Sequence, residues 1–278
     1  MAEFKTRLLL STDTVDAWDV VCPGRWREAS AEECATRTHL VFPYRGIYVH
    51  RVGLADRVAE ANQVVFINEG EPYRVSHPID GGDATVSIGV DAATLLELTP
   101  ADYRHARGRP SFNRSGLRID TQSQALAAEL RNRLTRGTID HVAAETLTLE
   151  LVRHTLGSKA SHTARHGNGR PKKIADRAKL ILLSDLGRRW TLNDVAADIG
   201  ISPVYLTDVF HRVEGLPLYR YHLRLRLARA LSVLADYDSL TRLALDLGFN
   251  SHSHFSAVFK QTYKQTPSEF QRAIRRQA

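Results

Sequence analysis

The C-terminal part of this chain carries the same nine-residue pattern twice. It runs from Leu192 to Gly200 and again from Leu240 to Gly248, with leucine, alanine, aspartate and glycine at matching places 48 residues apart. A second apolar pattern follows each glycine, at Leu206, Val209, Phe210 and Val213 and then at Phe255, Val258, Phe259 and Thr262. Each copy therefore predicts two helices joined by a tight glycine turn, which is a helix-turn-helix unit.

Capping residues support the same helices. Thr191 precedes the first pattern, and Ser202 stands directly before Pro203, an arrangement typical of a helix start. Between the copies, residues 218–235 predict a helix of about 27 Å. Such a helix could hold the two units about one turn of DNA apart, roughly 34 Å. The spacing favours a protein that reads two successive major grooves of one duplex.

The charge is concentrated in the same region. Residues 158–278 hold 20 Lys and Arg against 10 Asp and Glu, whereas residues 1–157 hold 18 against 21. The C-terminal part therefore carries +10 and the N-terminal part −3, which gives the net charge of +7. We expect only the C-terminal part to meet a polyanion.

The N-terminal part has a different pattern. Residues 5–90 contain short alternating or β-branched runs separated by turn residues, which predict a small β-barrel or sandwich. Two helices follow at about 121–157; they either pack on the barrel or pair two subunits. We predict an α+β two-domain fold: a sensor and dimerisation domain at 1–157, a flexible linker at 158–172 and an all-α DNA-binding domain with two helix-turn-helix units at 173–278.

The segment from Thr191 to Arg272 resembles the AraC/XylS family of bacterial transcription regulators. Its most specific run is Leu245 to Ser251, followed by Phe255, Phe259, Tyr263 and Thr266-Pro267. The resemblance implies a cupin-like sensor domain and sequence-specific binding to promoters under the control of an effector in the barrel. The partners that the resemblance implies are double-stranded DNA, an unidentified small-molecule effector, RNA polymerase and a second copy of the chain. It implies no association with a membrane.

Candidate DNA contacts lie on the second helix of each unit, which we call the reading helix. For the first they are Ser202, Val204, Thr207, Asp208, His211 and Arg212; for the second, Asn250, Ser251, His252, Ser253, Ser256, Ala257 and Lys260. Candidate phosphate contacts, about half of which we expect to be solvated surface charge, are Arg220, Arg224, Arg226, Arg229, Lys264 and Arg272. Asp208 and Ala257 depart from the basic residues common in the family. Asp208 can accept from a cytosine amino group or pair with Arg212, and we favour the pairing.

The barrel offers weaker signals. Candidate pocket residues are the aromatic groups Trp18, Trp26, Phe42, Tyr48 and Tyr73. His39, His50 and His77 stand singly, so the sequence predicts no metal site, no cofactor and no catalytic residue. A regulator without a small-molecule ligand and a metal-dependent cupin enzyme remain as alternatives.

Cysteine content and the N-terminus bear on the compartment. Cys22 and Cys34 are too few for a disulfide framework and are expected to be inert rather than thiol sensors. The N-terminus lacks the pattern of a signal peptide, and the expected location is the cytoplasm.

Overall fold

The computed structural model describes residues 4–24, 27–105, 111–157 and 169–275. Within these ranges the N-terminal half is built from strands and three helices, and the C-terminal half is entirely helical. The α+β two-domain fold class predicted from the sequence is confirmed. Trp26, one of the candidate pocket residues, lies outside the described residues, as do residues 158–168 of the expected linker.

Two antiparallel sheets form the centre of the N-terminal domain. The strands are β1 Lys5–Ser11, β2 Val15–Cys22, β3 Glu33–Cys34, β4 His39–Gly46, β5 Tyr48–Val52, β6 Ala55–Ala59, β7 Gln63–Ile67, β8 Pro72–Ser76, β9 Asp83–Val90 and β10 Gly116–Arg118. One sheet has the order β1-β2-β9-β4-β7-β10, and the other has the order β3-β8-β5-β6.

The six-stranded sheet is buried on both faces, so its central strands are almost continuously apolar. In β4, Leu40 and Phe42 point to one side and belong to the core shared with the helices. Val41, between them, points to the other side and packs with Tyr48 and Val75 of the four-stranded sheet. The alternation of side chains along a strand therefore separates two apolar layers.

Three helices cover the outer face of the six-stranded sheet: α1 Ala92–Leu98, α2 Thr121–Arg136 and α3 His141–Gly157. Asp120 caps α2, and Gly137 ends it in the left-handed conformation. Leu130 of α2 and Leu151 and Val152 of α3 are fully buried against the sheet. Of the two roles that the sequence left open for α2 and α3, the structure thus shows packing on the sheets of the N-terminal domain.

Seven α-helices form the described part of the C-terminal domain, residues 169–275: α4 Arg170–Ser184, α5 Leu192–Ile199, α6 Pro203–Glu214, α7 Leu218–Val233, α8 Leu240–Asp246, α9 His252–Tyr263 and α10 Pro267–Arg275. Residues 170–172, which the sequence assigned to the linker, already form the first turn of α4. Pro171 suits that position because a first-turn residue needs no backbone N–H donor. Lys172 adds an ion pair with Asp176 at 2.5 Å.

The helix α7 connects two separate cores. Tyr221 and Leu225, in its first half, pack with α4, α5 and α6. Leu227, Ala230 and Leu231, in its second half, pack with α8, α9 and α10. Both sides of this helix are therefore buried, and the two helix-turn-helix units are fixed to one rigid element. Across the described ranges, none of the helices is long and apolar enough to cross a membrane.

Candidate nucleic-acid interface

The first unit consists of α5 and the reading helix α6. Thr191 and Asp194 form a capping box at the start of α5, and Gly200 ends that helix at φ 78°. Ser202 then caps α6 by accepting a hydrogen bond from the Tyr205 N–H at 3.2 Å. These local interactions fix where each helix begins and ends, which is why the sequence pattern located the unit correctly.

The second unit repeats this design in α8 and the reading helix α9. Ser239 caps α8, and Ser251 caps α9 by accepting from the His254 N–H at 3.1 Å. Gly248 takes φ 76° in the turn, and a Cβ there would lie 2.1 Å from the carbonyl oxygen of Gly187. Glycine is needed here both for the turn and for the close approach of the chain that follows α4.

The candidate base-contacting residues lie on the open surface of the two reading helices. In α6, Val204 is 81% exposed, and Thr207, Asp208 and His211 are exposed. The exposed residues at the start of α9 are Asn250, Ser251, His252, Ser253 and Ala257, with Lys260 further along; Ser256 is half-buried. His252 Nε2 lies 3.2 Å from Ser256 Oγ. The outward face of the N-terminal half of each reading helix is thus exposed, and this half is the part that a helix-turn-helix presents to base edges.

Asp208 forms an ion pair with Arg212 one turn further along α6. The pairing favoured from the sequence is present. Both side chains are exposed, so the pair holds the Asp208 carboxylate near a compensating cation rather than contributing much to stability.

The candidate phosphate contacts occupy two kinds of position. Arg220, Lys264 and Arg272 are exposed. Arg224, Arg226 and Arg229 are half-buried, and burial lowers the pKa of each guanidinium. Arg226 donates to the carbonyl oxygens of Leu186 at 2.9 Å, Arg188 at 2.7 Å and Gly248 at 3.2 Å. This guanidinium links the segment after α4 to the turn of the second unit.

The N-terminal domain contacts the first reading helix at its C-terminal end. Glu214, the last residue of α6, accepts from Arg118 of β10 at 2.5 Å and forms an ion pair with Lys179 of α4 at 2.5 Å. Burial raises the pKa of Glu214, but Lys179 and Arg118 outweigh it and bring the pKa below its ordinary value. Burial lowers the pKa of Lys179, but Glu214, Asp176 and Glu60 outweigh it and bring the pKa above its ordinary value. Both groups are therefore charged at neutral pH.

A second polar contact lies beside this one. Tyr221 of α7 donates to Glu60, which follows β6, at 2.5 Å. Glu60 also accepts from the backbone N–H of Asn62 at 2.7 Å. Glu60 is fully buried, and burial raises the pKa of its carboxyl despite the nearby Lys179. The first unit is thus joined to the N-terminal domain through a buried network of charged and polar groups.

The second reading helix is also held at its C-terminal end. Tyr263, the last residue of α9, donates to the Gln124 side-chain oxygen of α2 at 3.2 Å. Ala128 of α2 belongs to the core of the second unit, and Asn132 donates to the Leu231 carbonyl at 3.4 Å. The N-terminal domain therefore holds both reading helices by the ends opposite to the exposed candidate contacts.

Sequence reasoning missed these contacts, although a partial signal exists. Glu214 stands four residues after Phe210, and Lys179 four residues after Ala175, so each continues the buried stripe of its helix. Two opposite charges on buried stripes of neighbouring helices indicate an ion pair. The sequence contains no sign that Arg118 completes it.

The candidate pocket residues do not come together in one place. Phe42 lies in the core between sheet and helices, whereas Tyr48 and Tyr73 pack between the two sheets. Trp18 is half-buried on β2. Between the sheets, His50 is 1% exposed, its ring lies 5.2 Å from that of Tyr73, and neither ring nitrogen has a hydrogen-bond partner in the described part of the chain.

Comparison with known proteins gives matches to the C-terminal domain. A family model described as a helix-turn-helix domain matches residues 195–273. The regulatory protein PocR of Salmonella typhimurium is 34% identical over 84 residues, which are 30% of this chain and 28% of that protein. The HTH-type transcriptional regulator GadX of Escherichia coli is 32% identical over 92 residues, 33% of each chain. The matched segment thus spans about a third of the length of these relatives.

A solved structure is also similar to part of this chain. A transcriptional regulator of Chromobacterium violaceum, described as containing an AraC-type DNA-binding domain, is 26% identical; the match covers 37% of this chain and 94% of that one, with a TM-score of 0.36. The duplicated helix-turn-helix units and the sequence matches agree with the motif run from Leu245 to Ser251. The C-terminal domain of this chain thus contains a helix-turn-helix domain over residues 195–273, in agreement with its resemblance to the AraC/XylS family.

Proposed function

We propose that the protein is a sequence-specific DNA-binding transcription regulator whose reading helices α6 and α9 enter two successive major grooves. The observation that carries this proposal is the exposure of the N-terminal halves of both helices, which stand on one rigid connecting helix in a strongly basic domain. The named relatives of this domain are regulators. We propose no enzymatic activity for the chain.

The proposed contacts follow from the chemistry of the exposed groups. Val204 and Ala257 offer methyl groups to thymine, and His252 with Ser253 offers hydrogen bonds to base edges. The exposed cations Arg220, Lys264 and Arg272 contact phosphates and set the register without reading sequence. Arg226 keeps its role within the fold, because its guanidinium already donates to four carbonyl oxygens.

Control by the N-terminal domain follows from where it holds the two units. An effector bound between the sheets, or a protein partner, would change the contacts at Glu214 and Tyr263 and so the relative position of the reading helices. A ligand raises the population of the arrangement of reading helices that it binds more tightly, and promoter occupancy changes with that population. The unpartnered nitrogens of buried His50 support a polar effector, because buried polar atoms are ordinarily hydrogen-bonded. A sensor domain at 1–157, a DNA-binding domain that begins with α4 at residue 170, pairing of two copies and contact with RNA polymerase remain part of this proposal.

The experiment is selection of binding sites from a pool of random duplex DNA by the full-length protein. We expect an enriched non-palindromic site with two preferred blocks about one helical turn apart, and an affinity that falls steeply with added salt. His252→Ala should lose about 1–3 kcal/mol of preference at one block, because it removes a base contact.

The matched control is Arg272→Ala. It should weaken binding to all sequences alike and reduce the salt slope by about one, as loss of a phosphate contact does. If no sequence is enriched, or if His252→Ala weakens all sequences equally, the proposed placement of α9 on base edges is wrong.

A further inference from the structure

Three metal-binding side chains meet at one end of the two sheets. Cys22 is the last residue of β2, and its Cα pairs across the ladder with that of Asp83, the first residue of β9. His77 follows β8 of the other sheet. Cys22 is 2% exposed, Asp83 is 6% exposed and His77 is 1% exposed. One donor atom from each of the three residues lies within 4.8 Å of those of the other two. The cluster therefore joins the six-stranded sheet to the four-stranded sheet inside the protein.

The hydrogen bonding of His77 is incomplete. Its Nε2 lies 2.6 Å from an Asp83 carboxylate oxygen. Its Nδ1 is buried and has no hydrogen-bond partner among the residues that the structure describes. A neutral imidazole that donates through one nitrogen has a lone pair on the other. That lone pair is available to a ligand.

The backbone around the cluster is packed too closely to move freely. A Cβ on Gly82 would lie 2.1 Å from the Cys22 carbonyl oxygen, and one on Gly46 would lie 1.9 Å from that of Gly82. The ends of β2 and β4 and the start of β9 are therefore closely packed around Cys22 and Asp83.

We propose that Cys22, His77 and Asp83 bind one divalent transition-metal ion of the zinc type. Thiolate sulfur, imidazole nitrogen and carboxylate oxygen are the ligands that Zn²⁺ takes, and a solvent molecule completes the tetrahedron. Binding releases the Cys22 thiol proton to solvent, and the metal cross-links the two sheets. The proposal is independent of the DNA contacts, and the sequence did not reveal it because the three ligands are far apart along the chain.

The first test measures zinc in the full-length protein, purified without a histidine tag and without chelators. Elemental analysis should find about one zinc per chain. Cys22→Ser and His77→Gln should reduce the content to background, whereas Cys34→Ser, at the exposed cysteine, should leave it unchanged.

The second test uses Co²⁺ and does not depend on the folding of the Cys22 variants. Cys34→Ser protein retains Cys22 as its single cysteine. Adding Co²⁺ to this protein after removal of zinc should produce the visible bands of a tetrahedral ion and a near-ultraviolet thiolate-to-cobalt band. Absence of that band, a wild-type protein without metal, or equal metal content in Cys22→Ser would overturn the proposal.

Discussion

Glu214→Gln is expected to destabilise the protein far more than the loss of an ordinary ion pair. The Glu214 carboxylate accepts from Arg118 of the N-terminal domain and pairs with Lys179 of α4. The neutral amide cannot compensate the Lys179 ammonium, which remains 4% exposed with Asp176, at 3.6 Å, as a more distant counter-charge.

The magnitude follows from burial. Glu214 and Lys179 are both 4% exposed, so little water reaches the charge that loses its partner. Removal of one member of a buried pair typically costs about 3–5 kcal/mol. The matched control is Asp80→Asn, whose partner Arg27 is bound at 2.9 Å with side chains 83% and 72% exposed. That change should cost less than about 1 kcal/mol.

Urea unfolding followed by circular dichroism and by tryptophan fluorescence measures both variants. A lower midpoint with an unchanged slope reports a change in stability. Lys179→Met combined with Glu214→Gln should recover part of the loss, because the buried ammonium that Glu214 compensated is then absent. A loss for Glu214→Gln no larger than that for Asp80→Asn, or no recovery in the double variant, would refute the assignment of this network.

Two further predictions concern the turn of the second unit and the Glu60 carboxyl. Gly248→Ala should lower the urea midpoint more than Gly200→Ala, because both residues have φ near 77° but only the Gly248 Cβ would meet a backbone atom, at 2.1 Å; equal losses would contradict the close approach. The folded-state pKa of Glu60 is raised by burial, so its contribution to stability is full below the ordinary pKa of about 4.3 and is lost as pH rises through the folded-state pKa. Wild-type stability should therefore decline relative to Glu60→Gln as pH rises above the ordinary pKa, in urea unfolding at several pH values, and parallel pH profiles would contradict the assignment.

The elements that the sequence predicted well are those defined by neighbours along the chain. The start of α6 follows from Ser202 and Pro203, and the turns follow from Gly200 and Gly248, since capping and turn conformations depend on a few adjacent residues. The sequence predicted α7 as a helix but not the burial of both of its sides, because its apolar residues belong to two cores that lie on different faces.

The sequence by itself determined the two helix-turn-helix units, their caps and the basic charge of their domain, because these depend on residue type and short spacing. Only the tertiary structure decided that the N-terminal domain holds both reading helices by their C-terminal ends, through Glu214 and Tyr263, and that Cys22, His77 and Asp83 meet. Contacts between residues far apart in the chain depend on how sheets and helices pack in three dimensions. Neither hydrophobic period nor residue type encodes which buried polar group will face which partner.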